Sequence, residues 1–302
     1  MAVFLALGLG ILMGSVVLSD RYVARLESRV KGIEAQLDER REDIVDLNDR
    51  LDVLQDFSAE AQTRMLDRSL IGREIVAIEL PGADGKLRET LIDAIETADG
   101  ALTTTIRLTE RFALEDEGAR QDLAAILDSP ATDAAELRAA AAFALGQRAA
   151  AATQRLDSGR SGFGSLRFET LVDDLEAADL VDVTAEEDAL VPSDAAFLIL
   201  GGAADDPTVG TGEFSVELAS TLASRGAPVV VTETADSVWQ LVQAVRDDAD
   251  AVSTVTTVEA GESVPGQIGV VLGLELAIDG VTGHYGSGDG ATAIVPPPTS
   301  EG

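Results

Sequence analysis

The first eighteen residues most limit what this chain can fold into, because the run from Met1 to Leu18 contains no charged side chain. As a helix this run would be roughly 27 Å long, at about 1.5 Å per residue, which is close to the thickness of the hydrocarbon core of a bilayer. No Lys or Arg precedes the run, and "GSVVLSD" is a poor cleavage site for a signal peptide. The sequence therefore predicts a transmembrane helix over residues 1–19, which would make the protein a single-pass membrane protein in contact with membrane lipid.

Small residues recur at every fourth position of this run. The positions are Ala2, Ala6, Gly10 and Gly14. A ridge of small side chains lets the backbone of another helix approach closely in a membrane. The pattern predicts contact with a second membrane protein, and its alternative is the ordinary high glycine content of membrane helices.

The basic residues closest to this run all follow it. They are Arg21, Arg25, Arg29 and Lys31. The positive-inside rule, taken literally, places the large C-terminal part in the cytoplasm. A basic segment in front of Met1 would weaken or reverse that inference, so the side of the membrane stays open.

A heptad pattern follows in residues 20–70 and predicts a coiled-coil stalk. The positions a and d are filled by Val23, Leu26, Val30, Ile33, Leu37, Ile44, Leu47, Leu51 and Leu54, with Arg40 as an exception at d. β-branched residues at several a positions and Leu at most d positions favour two parallel chains. We expect a homodimer. The alternatives are a trimer, a heteromeric partner, or a single long helix folded back on its own domain.

Past Leu70, strand-like and helical segments alternate over residues 71–302. The strand-like segments are "REIVAIELPG", "ALTTTIRLTE", "AAFLILGG", "APVVVTET" and "VSTVTTVE". Helices are predicted at "GKLRETLIDAIETADG", "EFSVELASTLASRG" and "SVWQLVQAVRD", the last opening at Ser237, and a helical insertion is predicted at about 115–180. This alternation predicts an α/β domain with a doubly wound, mainly parallel sheet.

The charge balance excludes one large class of partner. Acidic residues outnumber basic residues by 54 to 22, for a formal net charge of −32, so nucleic acid would be repelled. The chain has no cysteine, which excludes disulfides and thiolate chemistry. Cu(I) favours thiolate and thioether ligands, and the chain offers only Met1, Met13, Met65 and one imidazole, His284. We therefore expect neither a metal site within one chain nor a bound cofactor.

No catalytic motif emerges at the ends of the predicted strands. "GGAADDP" lacks the G-x-G-x-x-G pattern, and Ser287 is followed at once by Gly288, which breaks the nucleophile-elbow spacing. The tail "GVTGHYGSGDGATAIVPPP" is interpreted as a glycine-rich crossover before a last short strand. A lone histidine in a loop is more often structural than catalytic, so we expect a protein that is not an enzyme.

Three parts of the chain, read in order, resemble a known family: "AVFLALGLGILMGS", the heptad stalk and the terminal "GHYGSGDGATAIVPP". They resemble the MctB-type family of actinobacteria, the mycobacterial copper-transport outer-membrane proteins. The C-terminal motif consists of Gly283, His284, Tyr285, Gly286, Gly288 and Gly290. The resemblance implies a role in copper transport or homeostasis at the cell envelope. Family members begin with a short basic and aromatic segment that is absent here, so a longer natural N-terminus is expected.

The same resemblance carries an alternative function. The family includes coiled-coil relatives associated with cell division, which implies a non-enzymatic scaffold that recruits or regulates a cell-division or cell-wall-hydrolase partner. A single span with no polar side chain before Ser15 cannot line a pore by itself. The residues themselves therefore favour the scaffold, while the copper role depends on the resemblance.

Overall fold

The computed structural model describes residues 2–154, 163–185, 190–207 and 211–297. In the N-terminal helix the described side chains are those of Ala6 and of residues 29–66, apart from 34, 35, 55 and 56. The chain divides into two compact units, Met1–Phe57 and Ser58–Gly302. The first unit is helical, and the second contains a sheet with helices on both faces.

The helices and strands of the described residues alternate along most of the second unit. The α-helices are α1 (Ala2–Leu66), α2 (Gly85–Thr97), α3 (Glu117–Leu127), α4 (Ala134–Thr153), α5 (Phe163–Ala177), α6 (Thr211–Ser224), α7 (Leu241–Asp247) and α8 (Val264–Ile278). The strands are β1 (Glu74–Glu79), β2 (Ala101–Leu108), β3 (Val181–Ala185), β4 (Ala196–Gly201), β5 (Val229–Glu233), β6 (Thr256–Val258) and β7 (His284–Tyr285).

The strands form a mixed seven-stranded sheet in the order β3-β2-β1-β4-β5-β6-β7. Neighbouring strands are parallel, except that β3 pairs antiparallel with β2. Parallel strands need crossover connections, and helices such as α2 and α6 supply them. The predicted α/β class and the mainly parallel sheet are confirmed, and α3, α4 and α5 lie between β2 and β3 where the helical insertion was predicted.

Both faces of the sheet are covered, which explains why the central strands are apolar on both sides. In β4, Phe197 and Ile199 belong to one core and Ala196, Leu198 and Leu200 to the other. Because successive side chains of a strand point to opposite faces, one short apolar run serves two cores.

Side-chain caps explain where several helices begin. The carboxylate of Asp84 accepts a hydrogen bond from the amide of Lys86 at the start of α2, and Asp133 accepts from Ala135 at the start of α4. The hydroxyl of Ser263 accepts from the amide of Gly266 in α8, next to a proline in the first turn. Each cap satisfies an amide that has no partner within its helix.

The N-terminal helix corrects a prediction. In the part of the chain that the structure describes, none of the helices has the length and apolar composition needed to cross a membrane. This finding overturns the transmembrane helix predicted for residues 1–19. A single helix begins at Ala2 and continues to Leu66, and its side chains are exposed and largely charged over the described stretch from Arg29 to Arg50.

The predicted heptad positions lie on this helix. The apolar side chains at Val30, Ile33, Leu37, Ile44, Leu47, Leu51 and Leu54 are between 48% and 60% exposed. The side chains of Val23 and Leu26 lie outside the described set. The pairing of two chains through these positions stays a prediction.

Contact of a second helix with the predicted ridge of small residues stays a prediction. Among its members, Ala6 is exposed, and the side chains at positions 2, 10 and 14 lie outside the described set. Met1 also lies outside the described residues.

Four elements of the second unit differ from the sequence prediction. The helix predicted from Ser237 begins only at Leu241, because Gln240 adopts a left-handed conformation with φ of 54°. The helix α8 and the edge strand β3 were not predicted. β6 is shorter than predicted, since a 3-10 turn at Ala251–Ser253 precedes it.

Candidate functional site

A polar cavity of about 530 Å³ lies at the carboxyl ends of β5 and β6. In open parallel sheets, ligands bind beyond this edge. The lining residues are Glu233, Thr234, Ala235, Ser237, Gln240, Val242, Gln243, Glu259, Ala260, Ser287 and Asp289. The lining contains three carboxylates, and no basic residue is among the residues named there.

The usual ligand crevice of this topology is filled by the protein itself. The strand order reverses between β1 and β4, where Gly82 and Gly201 lie. The Trp239 ring is within 4 Å of the points where a Cβ at either glycine would lie, and its indole nitrogen donates to the carbonyl of Asp205 at 2.7 Å. Trp239 is 7% exposed and covers this crevice, so the open cavity lies further along the sheet, at β5 and β6.

Glu233 ends β5 as a buried carboxylate with a structural task. Its two oxygens accept hydrogen bonds from the amides of Leu241 at 3.0 Å and Val242 at 3.1 Å. These are the first amides of α7, so a carboxylate at the end of a strand caps this helix. The cap explains why α7 begins at Leu241 and why the predicted start at Ser237 is wrong: the Ser237 hydroxyl accepts from the Trp239 amide within the preceding turn.

Arg246 is the central cation beneath the cavity. Its side chain is 2% exposed and forms an ion pair with Glu259. It also donates to the hydroxyl of Thr257 and to the carbonyls of Tyr285 and Asp289, at distances between 2.9 and 3.0 Å. A buried charge requires such a full set of partners. Arg246 therefore joins α7, β6 and the glycine-rich tail.

The second oxygen of Glu259 holds the tail directly. It accepts from the amides of Ser287 at 2.9 Å and Gly288 at 2.7 Å. A Cβ at Gly286 or at Gly288 would lie 2.5 Å from a carboxylate oxygen of Glu259, and Gly286 has φ of 132°. These glycines are required because the backbone wraps closely around a carboxylate.

His284 is fixed in one tautomer by both ring nitrogens. Nε2 lies 2.9 Å from the carbonyl of Val252, which can only accept, so Nε2 carries the proton. Nδ1 lies 2.9 Å from the hydroxyl of Thr257 and accepts its proton, and that hydroxyl in turn accepts from Arg246. The side chain connects two strands, and neither nitrogen has a lone pair left for a metal.

The protonation state of His284 agrees with this arrangement. Burial lowers the pKa of His284, the hydrogen bond to the Val252 carbonyl acts in the opposite direction, and the charge of Arg246 lowers the pKa further. Burial also raises the pKa of the neighbouring Tyr285. Both side chains are therefore neutral near neutral pH.

The side chains around the cavity are suited to binding a polar ligand. Among the described residues, no group of three or more His, Asp or Glu side chains is placed to hold a metal ion. The cavity can accept a polar ligand through hydroxyl, amide and carboxylate groups.

The similarity to known proteins extends over almost the whole chain. The family model described as "Copper transport outer membrane protein, MctB" matches residues 1–296. The chain belongs to the MctB family.

Named relatives come from mycobacteria. The copper transporter MctB of Mycobacterium tuberculosis is 25% identical over 301 residues, which cover 97% of this chain and 95% of the relative. The copper transporter MctB of Mycobacterium leprae is 25% identical over 319 residues, which cover 98% of this chain and 96% of the relative. The resemblance expected from the sequence motifs is confirmed.

In this member of the MctB family, the C-terminal motif forms one structural unit. His284 and Tyr285 form β7, Gly286 and Gly288 lie against Glu259, and Gly290 packs beside Arg246 with φ of 78°. Gly283 donates through its amide to the hydroxyl of Thr256. The motif is brought together, and it encloses an ion pair.

Sequence reasoning missed the carboxylates and the arginine that organise this MctB site. Two signals were present: Glu233 and Glu259 each terminate a β-branched run, and Arg246 is the last basic residue of the chain. What was missing was the tertiary pairing, since Arg246 and Asp289 are separated by 43 residues.

Proposed function

We propose that this chain takes part in copper transport or copper homeostasis at the cell envelope, without catalysing a reaction itself. The match of the MctB family model to residues 1–296 carries the proposal, because that family is described by copper transport at the outer membrane. The mycobacterial relatives are likewise named copper transporters. These names give no support to the alternative of a cell-division scaffold.

The donor atoms of the described residues favour an indirect part in copper handling. The chain has no cysteine, and Cu(I) favours soft sulfur ligands. Both nitrogens of the His284 imidazole form hydrogen bonds within the protein. We infer that copper ligands come from a partner or from an assembly with this chain.

The proposed role is tested by deleting the gene in its host. The expected result is a change in cell-associated copper, measured by mass spectrometry, together with altered growth on added copper. Restoring the wild-type gene reverses both changes, while zinc content stays constant as the control. Unchanged copper content and tolerance would rule the proposal out.

The indirect part needs a separate measurement. The purified chain is mixed with Cu(I) held by a colorimetric chelator, and the expected result is no withdrawal of copper from the chelator. Stoichiometric withdrawal by the isolated chain would show that it binds Cu(I) by itself and would contradict this part alone.

A further inference from the structure

A second cavity, of about 550 Å³, lies among α4, α5 and the end of α6. Three arginines line it: Arg148 on α4, Arg167 on α5, and Arg225 directly after α6. No acidic residue is among the described residues that line this cavity. In a chain with 54 acidic and 22 basic residues, three cations without a carboxylate in one cavity need an explanation.

Several other arginines of the α/β unit have acidic partners. Arg88 and Arg107 contact Glu79, and Arg111 contacts Asp122. Within the described part of the chain, the guanidinium groups of Arg148, Arg167 and Arg225 have no hydrogen-bond or ion-pair partner. Arg148 is half-buried, and Arg167 and Arg225 are exposed. No carboxylate among the described lining residues offsets the repulsion between the three, and an anion between them would reduce it.

Helix ends explain only part of this arrangement. A positive charge at the C-terminal end of a helix is favourable, which accounts for Arg225 directly after α6. The last turn of α4 contains no basic residue, so this effect does not account for Arg148. Arg167 lies beyond the first turn of α5, so the helix end does not account for it either. The effect of helix ends therefore leaves Arg148 and Arg167 unexplained.

The chemistry of the lining selects the class of ligand. A guanidinium group presents a planar fork of donors that matches the oxygens of phosphate or carboxylate. Because the three forks come from three different elements, a tetrahedral phosphate can satisfy them better than a planar carboxylate can. The amide of Gln147 and the wall formed by Ala151 and Gly164 complete a cavity in the size range of small-ligand sites.

We propose that this cavity binds a small soluble anion that carries more than one phosphate group. The proposal is independent of the copper role. Three guanidinium groups in one cavity can neutralise several negative charges, and the acidic surface elsewhere on the chain would disfavour anionic lipid surfaces.

Isothermal titration of the full chain with pyrophosphate, at constant ionic strength and without metal, tests the proposal. Binding by the wild type is expected, and each of Arg148→Gln, Arg167→Gln and Arg225→Gln is expected to raise Kd about tenfold, as the loss of one charge-assisted hydrogen bond predicts. Lys86→Gln is the matched control, because it removes one exposed positive charge outside the cavity. Its Kd is expected to equal that of the wild type.

Two further arms distinguish the alternatives. Replacement of Arg167 by Lys keeps the charge and loses the fork, so it is expected to restore only part of the affinity. Citrate, at a concentration that supplies the same total negative charge, is expected to bind more weakly than pyrophosphate. Absence of pyrophosphate binding, an equal loss in Lys86→Gln, or tighter binding of citrate would overturn the proposal. Thermal unfolding of each variant separates loss of binding from loss of fold.

Discussion

The apolar residues of α1 and those of the sheet have opposite surroundings. Leu47 on α1 is 57% exposed, whereas Leu198 in β4 is 0% exposed. The period differs too, since α1 repeats its apolar residues every three or four positions and the strands bury side chains on both faces. The sheet therefore obtains its stability within one chain, whereas burial of the apolar row on α1 would need another surface. Four experiments test this contrast.

Truncation of a core side chain should have the largest effect. Phe197 is fully buried in β4, so Phe197→Ala should lower the free energy of unfolding by about 3–5 kcal/mol. Urea unfolding followed through the fluorescence of Trp239, the single tryptophan, measures this. Phe57→Ala is the control on α1, where the side chain is 68% exposed, and a loss of similar size there would contradict the contrast.

Removal of the buried cation Arg246 should have the second-largest effect on stability. Arg246→Met leaves the Glu259 carboxylate without its ion pair and should cost about 3 kcal/mol. The double variant Arg246→Met with Glu259→Gln should recover part of this loss, because the unpaired charge is gone. Urea unfolding of the two single variants and the double variant measures the coupling. Strict additivity would show that the two groups do not stabilise each other.

The contribution of His284 to the pH dependence of stability should be smaller than the effect of removing Arg246. Its pKa is lowered in the folded chain from 6.5, so the unfolded chain binds more protons as the pH falls below that value. The contribution of His284 is therefore present above about pH 6.5 and is lost as the pH falls through the folded-state pKa. Thermal unfolding between pH 7 and pH 5.5 should show a steeper loss for the wild type than for His284→Gln. Parallel profiles would contradict the assignment.

Substitution of an exposed heptad position should have the smallest effect on the sheet. Leu47→Glu should change the free energy of unfolding, read at Trp239, by less than about 0.5 kcal/mol. Sedimentation of the same variant addresses the predicted pairing of chains, which Leu47→Glu should weaken. A sheet destabilised by this change would contradict the contrast between α1 and the sheet.

Local patterns account for the parts of the fold that the sequence predicted. β4 and the first four residues of β5 form short uncharged runs, and turn residues flank α2 and α6, so the hydrophobic pattern and the turn signals were sufficient. The helix α8 was missed because it is apolar on nearly every side and contains glycines at 266, 269 and 273, which hides its period. The edge strand β3 was missed because it is only partly buried.

The candidate site was less predictable than the fold. The C-terminal glycines could be recognised as a motif, but their reason lies in the Glu259 carboxylate, which is distant in sequence. The caps of α2 and α4 are local and follow from Asp two or three positions earlier. The cap of α7 is Glu233, which lies on β5, so the residues next to the start of α7 do not predict it.

The outermost strands determine how copies of this protein can meet. β3 has a half-exposed edge with Asp182 facing outward, held by Arg107, and β7 at the other margin contains only two residues. Charged or very short border strands discourage a neighbouring molecule from adding its own backbone to the sheet. These margins would thus hinder crowded copies from joining their sheets into continuous ribbons.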